Sequence, residues 1–497
     1  MKTKTPVFCL SFFTVMLINI LTSSVSSSSG IESLYPEFVK SLHVENYDEG
    51  FSIKQSPSGD YFASGEVGSA SHRQNCIMRF HPLGHVLWCN EVTVDTKFVD
   101  IIPEILPKSS GGCYGVGGIV DPYTGSIGLL LELDPGGSVA NAKEVTSPSW
   151  SIKCYSIVED QIGQLVVGGR IYDNTTPGVD NALIIFNESG SQVISSKRIG
   201  VPEDFEHLYS AQPSTDGGCY IVCGVGTSDP REILLIKLDS NEDFHWAYRI
   251  PDFKVIGDAR NPKKLVQATH DGGCIVAGTY YLGTNFNEFA IAKFDSLGNL
   301  LWSTAIGGPS NDMINSISVT VDNGVFLGGD TSSFGPNPNT LIAKCSETGS
   351  LEWATTVGEY KIDSCEYVYA TSDNCCLAIG DFAFWSTEPD FDVLLFKTDE
   401  NGEIPGCSYS SFCQPTVTDI SGILTVTPAT IPVSDLSLTL VDVTSNTTTS
   451  SIQTSTEEIC YDFTPGTDLP SMTPVAMLAL LLVLGLIVSK AARTGSM

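Results

Sequence analysis

Short apolar runs alternate along the chain with turns rich in glycine, asparagine and aspartate. The run 274–278 follows the turn Asp271-Gly-Gly, and the runs 289–294 and 300–304 flank the turn Asp295-Ser-Leu-Gly298. Runs of this length with hairpin turn signals between them are typical of antiparallel β-strands. No sustained helical period interrupts them between residues 31 and 407. The pattern predicts an all-β fold.

The turn and the strand after it recur seven times. They lie around residues 59, 112, 163, 218, 273, 324 and 375. Each copy continues with a third strand, a four-residue turn usually closed by glycine, and a fourth strand. The fourth strand carries tryptophan in four copies, at Trp88, Trp246, Trp302 and Trp353. A four-stranded antiparallel unit repeated seven times predicts a seven-bladed β-propeller, and a linear β-solenoid is the alternative.

The first strand of the chain is expected to close this ring. The seventh copy has a third strand at residues 392–397, but Pro405 interrupts the fourth. Residues 35–44 form an apolar strand with the spacing to the next glycine turn that a fourth strand has elsewhere. This N-terminal strand would complete the last blade and leave no long exposed edge.

The repeats resemble those of secreted prokaryotic seven-bladed β-propellers of the SBBP type. The resemblance rests on 271–278, on 290–303 with its turn and Trp302, and on Ile306-Gly-Gly308, and it covers about residues 31–407. It implies a propeller fold and export, and it names no catalytic residue.

The two ends indicate how the chain is located. Residues 1–27 combine Lys2 and Lys4 with a short apolar run and a small polar stretch, which predicts a cleaved signal peptide rather than a first membrane helix. Residues 472–489 predict a single transmembrane helix, followed by a short basic cytoplasmic tail at 490–497. A glycolipid-anchor signal and a bacterial C-terminal sorting signal are alternatives.

Composition changes between the repeats and the predicted membrane helix. Residues 408–467 are rich in serine, threonine, valine and proline, with strand-like alternation at 423–427 and 436–441. We expect a small β module or a stalk there. Residues 28–407 form the predicted propeller.

Charge excludes one class of partner. The chain has 57 acidic and 26 basic residues, a net charge of −31, and only 17% charged residues. An excess of negative charge repels phosphate backbones, so no nucleic-acid binding is expected.

Fourteen of the 15 cysteines remain after removal of the signal peptide, so disulfides are expected in an exported chain. A hairpin turn at 81–84 would place Cys76 opposite Cys89, and we predict a disulfide between them. Asn174, Asn187 and Asn446 lie in N-glycosylation sequons.

Candidate ligand residues lie on the connections between the second and third strands, because the loops on that face vary most. Phe384, Trp385 and Asp390 lie on this loop of the seventh copy, and Tyr280 and Tyr281 on that of the fifth. Aromatic side chains beside carboxylates suit a sugar or a cation. Residues 173–180 offer oxygens of the kind that calcium prefers, so calcium is a candidate cofactor; no other metal site is predicted.

No nucleophile elbow, phosphate loop or zinc-protease motif occurs in the sequence. We therefore expect a non-enzymatic propeller on the outer face of the cell membrane that binds a protein or a glycan. An extracellular polysaccharide hydrolase or lyase with channel carboxylates is the alternative, and a structural surface-layer component is a third.

Overall fold

The computed structural model describes residues 37–460, apart from short gaps at 46, 70–71, 96, 122–124, 174–178, 201–205, 227–228, 257–262, 282–285, 336–338, 359–362 and 385–389. The predicted signal peptide, membrane helix and cytoplasmic tail lie outside these residues. Among the residues described, no helix has the length and apolar character needed to cross a bilayer.

Consecutive antiparallel strands form four-stranded units that coincide with the sequence repeats. The first strand, β1 (Phe38–His43), precedes them. Unit one contains β2 (Glu49–Gln55), β3 (Tyr61–Ser69), β4 (His72–Phe80) and β5 (Val86–Val94). Unit two contains β6 (Phe98–Pro107), β7 (Cys113–Asp121), β8 (Gly125–Leu133) and β9 (Val139–Thr146). Unit three contains β10 (Trp150–Glu159), β11 (Leu165–Asp173), β12 (Val179–Phe186) and β13 (Val193–Ile199).

The remaining units follow the same order. Unit four contains β14 (Glu206–Pro213), β15 (Cys219–Val225), β16 (Arg231–Leu238) and β17 (Phe244–Val255). Unit five contains β18 (Val266–Ala268), β19 (Cys274–Tyr281), β20 (Asn287–Phe294) and β21 (Leu300–Gly307). Unit six contains β22 (Asp312–Val319), β23 (Val325–Thr331), β24 (Asn339–Cys345) and β25 (Leu351–Val357). Unit seven contains β26 (Asp363–Ala370), β27 (Cys376–Phe384) and β28 (Asp390–Lys397).

The N-terminal strand completes unit seven. β1 pairs with β28, and Phe38 lies opposite Lys397 in the register that Trp353 has to Lys344 in unit six. The pairing predicted for this strand is therefore present. β1 is thus the fourth strand of the sheet of unit seven, and the chain continues from it into the separate sheet of unit one.

Residues after 408 add one further strand to the outer edge of each unit. This belt, residues 408–460, contains β29 (Ser410–Phe412), β30 (Thr416–Asp419), β31 (Thr427–Ala429), β32 (Val433–Asp435), β33 (Thr439–Asp442), a 3₁₀ turn (Thr444–Asn446), β34 (Thr447–Ser451) and β35 (Ser455–Cys460). Its strands pair in turn with β25, β21, β17, β13, β9, β5 and β1.

The belt corrects the expectation of a separate β module or stalk at 408–467. Belt strands of three to six residues take their backbone hydrogen bonds from the repeats instead of from one another. Apolar side chains such as Ile431, Leu436 and Val443 enter the clusters of the units that they pass. A segment without a core of its own is thus stabilised by covering sheet edges.

The sheets pack through apolar clusters between neighbouring units. Phe326 and Ile342 of unit six, for example, pack with Val368, Ala378 and Phe396 of unit seven. Within the residues described, β17 also pairs with β19, so units four and five share one ten-stranded sheet and the other five sheets have five strands each.

The Asp-Gly turn signature has a structural role. Lys293 on the third strand of unit five reaches Asp271 at 2.9 Å, and Asp271 also accepts the amide of Gly273. Equivalent lysine–aspartate pairs are Lys237–Asp216, Lys344–Asp322 and Lys397–Asp373. These carboxylates anchor the turns.

Candidate functional site

Four ionisable side chains from different units meet at the first strands of their units, which we call the inner strands. Glu104 of unit two lies 2.7 Å from Nζ of Lys54 in unit one and accepts the hydroxyl of Tyr367 in unit seven at 2.9 Å. Nζ of Lys264, before β18 in unit five, donates to the same tyrosine oxygen at 2.9 Å. We call Lys54, Glu104, Lys264 and Tyr367 the channel cluster. It connects inner strands far apart in the sequence.

The channel cluster is buried and tightly held. All four side chains are less than 10% exposed, and Oε2 of Glu104 accepts the amide of Ile157 at 2.8 Å. Burial opposes the charge of Glu104, but Lys54 and Lys264 outweigh it and lower its pKa. Burial and the neighbouring charge of Lys54 lower the pKa of Lys264 to about 7.

Three carboxylates lie beside the channel cluster, in units six and seven. Asp330 on β23, Glu366 on β26 and Asp381 on β27 form what we call the mouth carboxylates. Asp330 accepts the amide of Cys365 at 3.2 Å, and Asp381 accepts the amide of Gly50 at 3.2 Å. Asp330 lies one residue before the end of β23, and Glu366 and Asp381 lie three residues inside the ends of β26 and β27 at which the variable connections emerge.

Glu366 differs from its two neighbours in having one carboxylate oxygen unpaired. It is 6% exposed; Oε1 accepts the hydroxyl of Ser364 at 2.6 Å, while Oε2 has no hydrogen-bond partner. Burial and Glu366 raise the pKa of Asp330 to about 7, and the same two causes raise the pKa of Asp381. The mouth carboxylates therefore have more negative charge than their surroundings compensate.

One cation approaches the mouth carboxylates from unit five. Lys263 donates to Oδ1 of Asn315, and Nδ2 of Asn315 lies 3.4 Å from Asp330. Lys263 opposes the rise in the pKa of Asp330 without reversing it.

Sequence reasoning missed these residues, although the repeats contain a signal for them. Each first strand has an equivalent position eight residues before the turn residue of positive φ. In unit order it is occupied by Phe51, Pro103, Tyr155, Tyr209, Lys264, Asn315 and Glu366. The last three are polar where the others are apolar or aromatic, and two of them belong to the channel cluster and the mouth carboxylates.

A second polar group lies where β1 leads into unit one. Potential ligand atoms of His43, Asp48 and Asp392 all lie within 4.8 Å of one another, and His43 Nδ1 is 2.8 Å from Asp392. Asp48 already accepts the amides of Val44, Glu45 and Gly68. Asp48 therefore fixes the connection between the strands, as Asp312 does by accepting the amide of Gly308 in unit six.

The predicted aromatic site is described only in part. Tyr280 is 8% exposed and packs edge-on against Phe253, whereas Tyr281 is 49% exposed. Trp385 lies outside the described residues. The backbone of Phe384 ends β27 and that of Asp390 begins β28.

The predicted Cys76–Cys89 disulfide is corrected by the register of β4 and β5. A bulge beside Phe80 and a longer turn place Cys76 opposite Glu91 and Cys89 opposite Met78. The two buried cysteines are free thiols in diagonal positions, and their hydrogen bond and burial raise the pKa of Cys76. Cys407, by contrast, is disulfide-bonded.

The remaining candidate residues are placed as follows. Asn187 Oδ1 accepts the amides of Ser191 and Gln192, Asn446 ends the 3₁₀ turn, and Asn174 lies outside the described residues. Of the predicted calcium segment, residues 174–178 are likewise outside them. Asp180 at its end is paired with Arg198 at 2.6 Å.

Comparisons with known proteins give no family for the chain. No family model and no curated protein matches it. Among solved structures, one titled "Crystal structure of the eukaryotic initiation factor" aligns with a TM-score of 0.32 and 8% identity, covering 79% of this chain and 98% of that one. Similarity at this level carries no argument about function.

Proposed function

We propose that the chain is a seven-bladed β-propeller, exported and held at the outer face of the membrane, that binds an extracellular protein through the mouth carboxylates. Pairing of β1 with β28 supports a closed ring, as does the contact of Glu104 with Tyr367 across 263 residues of sequence. The apolar segments at both ends of the sequence support export and anchoring.

The observation that carries the binding proposal is the unpaired Oε2 of Glu366. A buried carboxylate oxygen without a donor is costly, and neighbouring Asp330 and Asp381 increase the cost. A cationic ligand that donates to Oε2 would satisfy it. The mouth carboxylates therefore favour a partner that inserts a lysine or arginine side chain.

A basic side chain fits these carboxylates better than one bare metal ion. Among the described residues, the group whose ligand atoms converge within 4.8 Å is His43, Asp48 and Asp392, so the mouth carboxylates do not converge in this way. A guanidinium presents five donors over a wider plane and pairs with several carboxylates at once. The ligand class is thus an arginine-bearing or lysine-bearing peptide segment.

The test is a binding assay on the full exported chain in detergent. An array carries peptides of one length with arginine, lysine or uncharged citrulline at a central position, alongside a set of glycans. Glu366→Gln is compared with Glu347→Gln, because Glu347 is an exposed turn residue whose loss removes the same charge.

We expect arginine and lysine peptides to be retained over citrulline peptides, and Glu366→Gln alone to reduce retention. Equal retention by both variants would refute the assignment to the mouth carboxylates. Retention of glycans alone would show that the ligand is a glycan and not a protein. Cleavage of a glycan would show that the protein is a hydrolase or lyase and not a binding scaffold.

A further inference from the structure

The chain leaves its last described strand at one particular end of the sheets. We call this end the tight-turn face, because it carries the short turns that join the first strand of a unit to the second and the third to the fourth. Lys397 lies at this end, since it pairs at 2.9 Å with Asp373 in such a turn. β1 begins there, with Phe38 opposite Lys397. β35 runs antiparallel to β1 and ends there, with Cys460 opposite Val39.

The length of chain beyond Cys460 favours one orientation on a membrane. Eleven residues, 461–471, separate Cys460 from the apolar segment 472–489 that we propose as the anchor. Fully extended, they span at most about 40 Å. The sheets are about 26 Å from end to end, since a strand of eight residues such as β19 rises about 3.3 Å per residue. With the tight-turn face towards the bilayer the connection needs little of its reach, whereas the opposite orientation uses most of it to return along the outer wall.

The tight-turn face also carries the most exposed large apolar side chains among the described residues. Ile162 of unit three, Leu297 of unit five and Val321 of unit six are 76%, 71% and 70% exposed. Asp160 and Asp295 fix the turns of the first two by accepting the amides of Ile162 and Leu297, each at 2.9 Å. The three side chains belong to different units, so they are spread over the face. This arrangement suits a flat apolar surface better than a single groove in a partner protein.

We propose that the tight-turn face lies against the bilayer surface, with these three apolar side chains in the interface. The strand ends nearer the mouth carboxylates then point away from the membrane, towards a soluble partner. This inference rests on the anchoring that is part of the proposed function, and it adds the orientation of the propeller.

The charge of the tight-turn face determines which lipid it fits. Glu188, Glu347 and Glu400 are exposed in its turns. A surface with these carboxylates is repelled by anionic headgroups. Zwitterionic lipid does not add this repulsion, while burial of the apolar side chains remains favourable. The surface that fits this face is therefore a zwitterionic bilayer.

The experiment measures which face of the full exported chain is close to lipid. The chain is reconstituted into phosphatidylcholine vesicles that carry a short-range nitroxide quencher on their headgroups. A fluorophore is attached through Thr348→Cys, in an exposed tight turn of unit six, or through Tyr281→Cys, at the opposite end of β19. Wild type treated in the same way corrects for labelling of native cysteines such as half-buried Cys413. We expect quenching of the label at position 348 and its loss at position 281.

Serine variants test the contact made by the apolar side chains. Ile162→Ser, Leu297→Ser and Val321→Ser together should lower the quenching at position 348. The matched control is Phe98→Ser with Tyr281→Ser, which removes apolar side chains that are 56% and 49% exposed at the other end of the sheets. It should leave the quenching unchanged. Replacing part of the phosphatidylcholine by phosphatidylserine should lower the quenching, because of the carboxylates on this face.

The outcomes separate this inference from the proposed function. Equal quenching at both positions, or stronger quenching at position 281, would overturn the orientation and leave the anchor intact. Unchanged quenching in the triple serine variant would overturn the apolar contact. Release of the chain from the vesicles by an alkaline wash would refute the anchoring itself, and the orientation with it.

Discussion

Lys264 provides the sharpest test of the channel cluster. Its ammonium is buried, donates to Tyr367 and lies near the charge of Lys54, and its pKa is lowered to about 7. In the unfolded chain a lysine has a pKa of about 10.4. Between these values the unfolded state binds a proton that the folded state does not, so stability should rise with pH across this window.

The magnitude follows from these two pKa values. One proton contributes at most about 1.4 kcal/mol per pH unit. Between pH 7 and pH 9 the contribution of Lys264 to the free energy of unfolding should increase by about 2 kcal/mol, because the folded side chain is already half neutral at pH 7. Lys264→Met removes this group while keeping an unbranched apolar side chain. The free energy of unfolding of the wild type should therefore increase relative to that of the variant by about that amount as the pH rises.

Urea unfolding at pH 7, 8 and 9 measures the effect, since the contributions of groups that do not interact with Lys264 cancel in the difference between wild type and variant. Lys254→Met is the control because Lys254 forms a surface pair with Glu232, at 3.5 Å, and is 30% exposed. The control difference should be flat with pH. A flat difference for Lys264→Met as well would refute the description of Lys264 as a lysine held largely neutral by burial.

Three further predictions concern the belt and the mouth carboxylates. Truncation after Cys407 exposes the outer strand of every unit, so we expect association of the truncated chain in size-exclusion chromatography; a monomer of unchanged melting temperature would contradict this. Cys407→Ser should lower the free energy of unfolding by about 2–5 kcal/mol. Peptide mapping of the non-reduced chain should recover Cys407 in a disulfide-linked peptide, and its recovery as a free thiol would contradict this. Because a cation favours ionised Asp330, affinity for an arginine peptide should rise from pH 6 to pH 8 and respond less in Asp330→Asn; an equal response in both would count against the site.

The repeat units were predictable because their strands make their backbone hydrogen bonds with neighbouring strands of the same unit. Turn glycines, the Asp271–Lys293 type of pair and the tryptophans lie at fixed positions in each copy, so periodicity alone identifies them. The pairing of β1 with β28 followed from the same spacing. The register near Cys89 did not, because one bulge and a longer turn moved it by two residues without altering the hydrophobic pattern.

The belt was not predictable in its true form. Its strands are short, and the apolar side chains that reach a core made by other residues lie largely between them, such as Leu436 among the residues of units two and three. Alternation at 436–441 was visible in the sequence, but the partner strand β9 lies some 300 residues away. Alternation in a short strand shows that one of its faces is buried, but it does not show which sheet edge the strand pairs with.

The candidate sites share one origin, which is departure from the repeat. Serine at positions such as Ser316 accepts the amide of Val368 in the next unit, and Glu104 makes the equivalent bond to Ile157 while extending a second oxygen to Lys54 and Tyr367. Ser195 of unit three and Glu242 of unit four, which form a hydrogen bond, likewise occupy positions where other copies have tryptophan and glycine. A change confined to one copy adds chemistry without altering the contacts that hold the others. Each of these substitutions that departs from the repeat is compensated by a second substitution that contacts it. We use this compensation to distinguish a functional site from a tolerated substitution. Glu366 lacks such a compensating change: its Oε2 is a buried carboxylate oxygen beside two further carboxylates with no partner within the chain, and so a donor from outside is the simplest account of it.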